Sequence, residues 1–86
     1  MDERLYEVGR ALASRERLAV LRVLAEGNAS VGELVARTGR PDVLDHLHVL
    51  SAAGLVAAGI GGHYGLASLE VVTLVRALET VARCRD

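Results

Sequence analysis

Apolar residues along this 86-residue chain recur at helical spacing almost throughout, with one switch to short extended runs between residues 55 and 66. Leu5, Val8 and Leu12 share a face of the first segment, residues 2–13, with Tyr6 and Gly9 beside them. Asp2 and Glu3 lead that segment, as the positive end of a helix dipole favours. Ser14 is placed to cap a second helix. Its Leu18, Val20, Leu21, Leu24 and Ala25 make a broad apolar face, Arg15, Arg17 and Arg22 project from the other side, and Gly27 closes it.

The stretch from Ser30 to Val56 carries the most specific local signals. Ser30 and Glu33 have the spacing of a capping box, Leu34 and Val35 supply a buried face, and Gly39 sits where a left-handed residue ends a helix. Pro41 has its φ preset for a first helical turn, so a further helix is expected to begin near it, with Asp42 favoured by the dipole. Val43, Leu47 and Leu50 form the inward stripe of that helix, leaving Asp45, His46 and His48 to face elsewhere. Gly54 ends it. Leu55–Ala58 reads as a strand, Gly61-Gly62 suits a type I′ turn, and His63–Leu66 is the return strand. Ser68 then caps a last helix in which Leu69, Val72, Val75, Leu78 and Ala82 recur toward Cys84. The expected architecture is mainly α, a single domain over residues 1–86 in the order α-α-α-α-β-β-α, which is that of a helix-turn-helix followed by a wing.

Composition narrows the picture. Hydrophobic residues make up 51% of the chain but only Tyr6 and Tyr64 are aromatic, so the core must be Leu, Val and Ala. A domain of this length buries only roughly 60% of its unfolded surface, and a second subunit would add to its stability. No apolar run approaches the roughly 20 residues of a membrane span and the charged N-terminus has no signal-peptide pattern, so a soluble, cytoplasmic protein is expected. The one cysteine excludes an internal disulfide. Net charge is −1, with seven Arg against six acids in residues 1–40, three acids and no Arg in 41–70, and three Arg against two acids in 71–86. The middle of the helix-turn-helix is therefore acidic. All ten basic residues are Arg, which together with abundant Ala and Gly is associated with GC-rich bacterial genomes.

The runs LASRERLAVLRVLAEGNASVGELVARTG and LDHLHVLSAAGLV resemble the ArsR/SmtB family of bacterial winged-helix repressors, with similarity from Ala11 to about Leu78. Its most specific parts are Arg17-Leu18 through Leu21 and Leu24, Val31 to Leu34, and His46 to Val56. The resemblance implies a symmetric dimer formed by the first and last helices, through Leu5, Val8, Leu12, Val72, Val75 and Leu78. It also implies a reading helix, Asp42 to His48, in the major groove of double-stranded DNA, and a wing, Gly59 to His63, on the flanking backbone. Three features depart from the family pattern. Arg40-Pro41-Asp42 replaces an apolar residue and a polar run, Leu44, Asp45 and His48 stand where small polar or basic residues are usual, and the wing carries no Arg or Lys.

Candidate DNA-contacting residues are accordingly Arg37, Arg40, Asp42, Asp45, His46, His48 and His63, with Arg40 the best-placed phosphate ligand and Arg15, Arg17 and Arg22 secondary. Asp42 and Asp45 are open to two readings, as a dipole-favoured residue and a solvated face, or as acceptors from a cytosine amino group. No metal or other cofactor is expected. Val31, Gly32 and Glu33 occupy the region of the family's sensor thiols, the last helix offers only Glu70, Glu79, Cys84 and Asp86, and His46 and His48 are two apart on a helix; only Asp42 and His46 are spaced to share an ion. Cys84, between Arg83 and Arg85, reads either as a structural thiol or as a redox-sensitive one. No catalytic constellation is present, so an enzyme is not expected. The expected function is a homodimeric DNA-binding transcription regulator, a repressor on a palindromic operator. The rival is a winged-helix module that binds a protein partner through its acidic head and Leu44, and a metal- or redox-gated regulator is a third form.

Overall fold

A computed structural model describes residues 2–84, and its winged helix-turn-helix is the fold expected from the sequence. The elements are α1 (Glu3–Leu12), α2 (Arg15–Glu26), β1 (Ala29–Ser30), α3 (Val31–Thr38), α4 (Val43–Ala52), β2 (Val56–Ala58), β3 (His63–Leu66) and α5 (Leu69–Cys84). Local chemistry sets most of these boundaries. Asp2 accepts from the Arg4 amide at 2.9 Å and Ser14 from the Arg17 amide at 3.3 Å, so both initial helices begin on side-chain caps. The Arg17 side chain closes the α1 C-terminus, donating from Nε to the Ala11 carbonyl at 2.8 Å and from Nη2 to the Arg10 carbonyl at 3.3 Å.

The capping box of α3 is formed in both directions. The Glu33 amide donates to Ser30 Oγ at 3.2 Å and the Ser30 amide to Glu33 Oε1 at 3.1 Å. Gly39 ends the helix at φ 72°, ψ 17°, a left-handed conformation that costs glycine nothing. Helix α4 begins near Pro41, as expected: Pro41 and Asp42 form a turn, Asp42 is the N-cap residue and Val43 the first helical one. Asp42 makes no side-chain cap bond, and its Oδ2 lies 3.2 Å from His46 Nε2.

One difference from expectation is β1, which the sequence pattern did not predict. Ala29 pairs with Tyr64 and Ser30 with His63, antiparallel, so β3 is the centre of a three-stranded sheet in the order β1-β3-β2. The return strand, His63–Leu66, has the expected bounds, and Val56, Ala57 and Ala58 face Leu66, Gly65 and Tyr64 across the wing. Gly61 and Gly62 both have φ of 76°, but the register, with Ala58 opposite Tyr64 and the Gly59 amide donating to the His63 carbonyl, leaves a three-residue 3-10 turn, Ile60–Gly62, in place of the expected two-residue type I′ turn. Gly65 also leaves room for the Asn28 side chain, into which a Cβ would run.

One core joins these elements. Val20, Leu21 and Leu24 of α2, Leu34 of α3, Val43, Leu47 and Leu50 of α4, Leu55, Val56, and Val71 and Val75 of α5 are all buried together. Each fully buried aliphatic side chain contributes roughly 1.5–3 kcal/mol relative to exposure, so α4 is seated firmly by its three. Its opposite face is thereby held at a fixed height above the domain.

Candidate functional site

Because Val43, Leu47 and Leu50 point inward, helical geometry turns Leu44, Asp45 and His48 outward, and all three are exposed. Leu44 keeps 43% of its surface accessible, so this face of the helix carries an aliphatic side chain beside a carboxylate and an imidazole. No Arg or Lys lies on this helix. His46 departs from the outward orientation expected of it. Its side chain is only 16% exposed, and Nε2 is enclosed beside Asp42 without the alignment of a hydrogen bond. Position 46 falls on the flank of the buried stripe, which draws the ring toward α2 rather than toward a ligand. Asp42 Oδ2 lies 3.2 Å from His46 Nε2, whereas the Asp45 carboxylate has no such neighbour among the described residues.

The arginines around the helix-turn-helix are held by carboxylates. Arg40 Nη2 lies 3.3 Å from Glu16 Oε1 and ties the turn before α4 to the start of α2. Glu16 is kept below the ordinary carboxyl value by its own backbone amide first, then by the Ser14 hydroxyl, and by Arg40 and His46 beyond these. Arg37 Nη2 donates to Glu26 Oε1 at 2.9 Å, and that bond, with the Arg37 charge, lowers the Glu26 pKa. Arg22 reaches Glu79 at 3.5 Å, while Arg17 is the C-terminal cap of α1. Arg15 remains exposed, with no ion pair among the described residues.

At the wing, His63 Nδ1 is 3.2 Å from the Gly61 carbonyl and Nε2 is 3.7 Å from Glu33 Oε1. That carboxylate is already drawn down in pKa by the Ser30 amide and hydroxyl of the capping box, with His63 and Arg37 adding to the effect. The wing tip is therefore tied to the start of α3. The structure thus brings α4, the Arg40 turn and the wing together on one framework, and it sets Glu16 beside Arg40 and Glu33 beside His63. Sequence spacing gave no signal for the Glu16–Arg40 pair, which spans 24 positions.

The terminal helices carry apolar side chains that this subunit does not cover. Leu5 of α1 is 64% exposed and Leu78 of α5 39%, with Leu69 and Val81 also open. Val8 and Leu12 are half-buried against the core, and Val72 is half-buried on α5. Val75 is a correction: it is 3% exposed within its own subunit, so it anchors α5 and has no surface left to offer a partner. The reason is the 3.6-residue period, which puts Val71 and Val75 inward together and Leu78 on the edge. Between α2 and α5 runs an open groove of about 390 Å³ lined by Leu18, Leu21, Val75, Leu78 and Ala82 together with Arg22, Glu79 and Arg83.

Among the described residues no three His, Cys, Asp or Glu side chains stand close enough to share a metal ion, and Asp42 with His46 provides only two ligands. Cys84 is exposed at the end of α5, while Arg85 and Asp86 lie outside the described residues. Among the described residues no helix is long and apolar enough to cross a membrane.

Comparison with known proteins adds an independent line. The model of the arsR family of bacterial regulatory proteins matches residues 14–58, from the Ser14 cap to the end of β2. The HTH-type transcriptional regulator CmtR of Mycobacterium tuberculosis is 34% identical over an alignment of 95 residues that covers 96% of this chain and 80% of that protein. Among solved structures, the homodimeric winged helix-turn-helix DNA-binding domain of a possible ArsR-family regulator from Mycobacterium bovis superposes with a TM-score of 0.86. The two are 31% identical, over 94% of this chain and 80% of the other. The transcriptional repressor BigR from Xylella fastidiosa gives a TM-score of 0.78 at 29% identity, over 95% and 86% of the two chains.

Proposed function

The chain belongs to the arsR family of bacterial regulatory proteins, and on that premise we propose that it is a homodimeric DNA-binding repressor that reads a palindromic operator through α4. The observation that carries this reading is the rigid seat of α4. Three fully buried side chains hold the helix with Leu44, Asp45 and His48 projecting, in a fold shared with a homodimeric DNA-binding domain. Two such helices, related by a two-fold axis through the uncovered faces of α1 and α5, would meet successive major grooves about 34 Å apart. Leu5, Leu78 and the flanks of Val8, Leu12 and Val72 supply the apolar contact. Arg40, released from Glu16, supplies a phosphate contact, and the wing with His63 lies over the adjacent backbone. Occupancy of such a site in a promoter blocks polymerase, which is repression; BigR is a relative that acts as a repressor.

Gel-shift titration against promoter fragments at low and moderate salt tests the proposal. Retardation that weakens as salt rises is expected, together with lower reporter output when the chain is expressed. No retardation at low salt would refute it. One observation favours a second reading, a protein-binding module: Arg37, Arg40 and His63 are each beside a glutamate, and α4 bears two aspartates at or near its start. That reading predicts no salt-dependent DNA binding and a protein partner that shields Leu44 and Asp45 from hydrogen exchange.

A further inference from the structure

We infer that Asp45 is a specificity-determining residue that accepts from the exocyclic amino group of a cytosine in each operator half-site, an inference that rests on the DNA-binding reading above. The two aspartates of this region separate in the structure. Asp42 is engaged with His46, whereas Asp45 projects from the middle of the exposed face, free of ion pairs among the described residues and flanked by Leu44 and His48. A recognition helix presents its N-terminal residues to base edges, and Asp45 lies in the first turn of α4.

An ionised carboxylate has lone pairs and no donor, so the groove admits it on restrictive terms. The phosphate rails repel it on every sequence. Guanine, with N7 and O6, and thymine, with O4, would set acceptor against acceptor, leaving a desolvated anion without a partner. Adenine offers its N6 amino group but places the N7 acceptor beside it, which an amide satisfies and a carboxylate does not. Cytosine offers its N4 amino group alone. The acidic residue that lowers affinity in general therefore selects one base in particular.

Selection from a randomised duplex library, followed by anisotropy titrations of the winning site and its single-base changes, tests this with the full chain, Asp45→Asn and Asp45→Ala. Circular dichroism confirms that each variant is folded, as expected for an exposed position. The unmodified chain should prefer cytosine at one position per half-site, losing about tenfold in affinity when guanine or thymine replaces it. Asn at position 45 should move the preference at that position to adenine, and Ala should erase it there while leaving other positions unchanged. Uniformly tighter binding of both variants to all sequences, with the preference unaltered, would show Asp45 to be a repelling surface charge and overturn the inference while leaving DNA binding intact. Failure of the unmodified chain to bind any duplex at low salt would overturn the inference together with the reading beneath it.

Discussion

Replacing Glu16 by Gln should strengthen DNA binding, because Glu16 holds the arginine best placed to meet a phosphate. Arg40 Nη2 sits 3.3 Å from Glu16 Oε1 with side chains 52% and 31% exposed, so the pair is solvated and screened. To contact a phosphate, Arg40 must leave this partner, and breaking an exposed pair of this kind costs a factor of about 1.4 to 5 in an equilibrium constant. Gln keeps an oxygen for the Ser14 hydroxyl, which donates to Glu16 Oε2 at 3.0 Å, so the start of α2 is preserved. Fluorescence anisotropy at low salt should thus show Glu16→Gln binding about 1.4- to 5-fold more tightly, with the gain shrinking as salt rises. Arg40→Ala should weaken binding to all sequences alike and flatten the plot of log affinity against log salt by roughly 0.9. The cycle decides the matter. If Glu16→Gln produces the same gain in the Arg40→Ala background, the effect is a general loss of negative charge and the restraint argument is wrong; a folded Glu16→Gln protein that binds more weakly would refute it outright.

Other consequences are open to simpler assays. Leu47→Ala removes a fully buried side chain beneath α4 and should lower unfolding free energy by about 2–5 kcal/mol in urea titrations; a loss under about 1 kcal/mol would mean that α4 is not seated as described. Leu5→Glu puts a charge on the uncovered face of α1 and should convert the dimer to monomer in sedimentation velocity, whereas an unchanged dimer would place the interface elsewhere. Glu33, held below its ordinary value of 4.5 by the capping box, binds fewer protons folded than unfolded in acid. Its stabilisation is therefore present above that value and lost as pH falls through the lowered one, so the urea midpoint should drop in that window and drop less in Glu33→Gln.

The parts of this molecule that were legible in its sequence are those set by neighbouring residues. The capping box of Ser30 and Glu33, the left-handed Gly39, the positive φ of Gly61 and Gly62 and the His63–Leu66 strand all arise from chemistry within a few positions. What sequence spacing missed is non-local. Strand β1 is two residues long and exists because Tyr64 and His63 lie opposite Ala29 and Ser30, and nothing in Ala29-Ser30 announces a strand. The placement of Asp42 Oδ2 beside His46, with no side-chain cap bond, was likewise not legible in the spacing. At the candidate site, exposure of Leu44, Asp45 and His48 followed from the inward stripe, but the pairing of Arg37 and Arg40 required the fold to bring α2 alongside. Periodicity placed Val75 on an apolar face without saying whether its own subunit or a partner would cover it, and the subunit's core does so.

The central claim, that two copies present a matched pair of α4 helices to duplex DNA, is tested most directly by the stoichiometry of a DNA complex. Sedimentation of the chain with a selected inverted-repeat duplex at low salt should give two chains per duplex, with half-site centres roughly 10 base pairs apart. A single chain per duplex, or two chains that bind equally well when the half-site spacing is shifted by five base pairs, about half a helical turn, would contradict it.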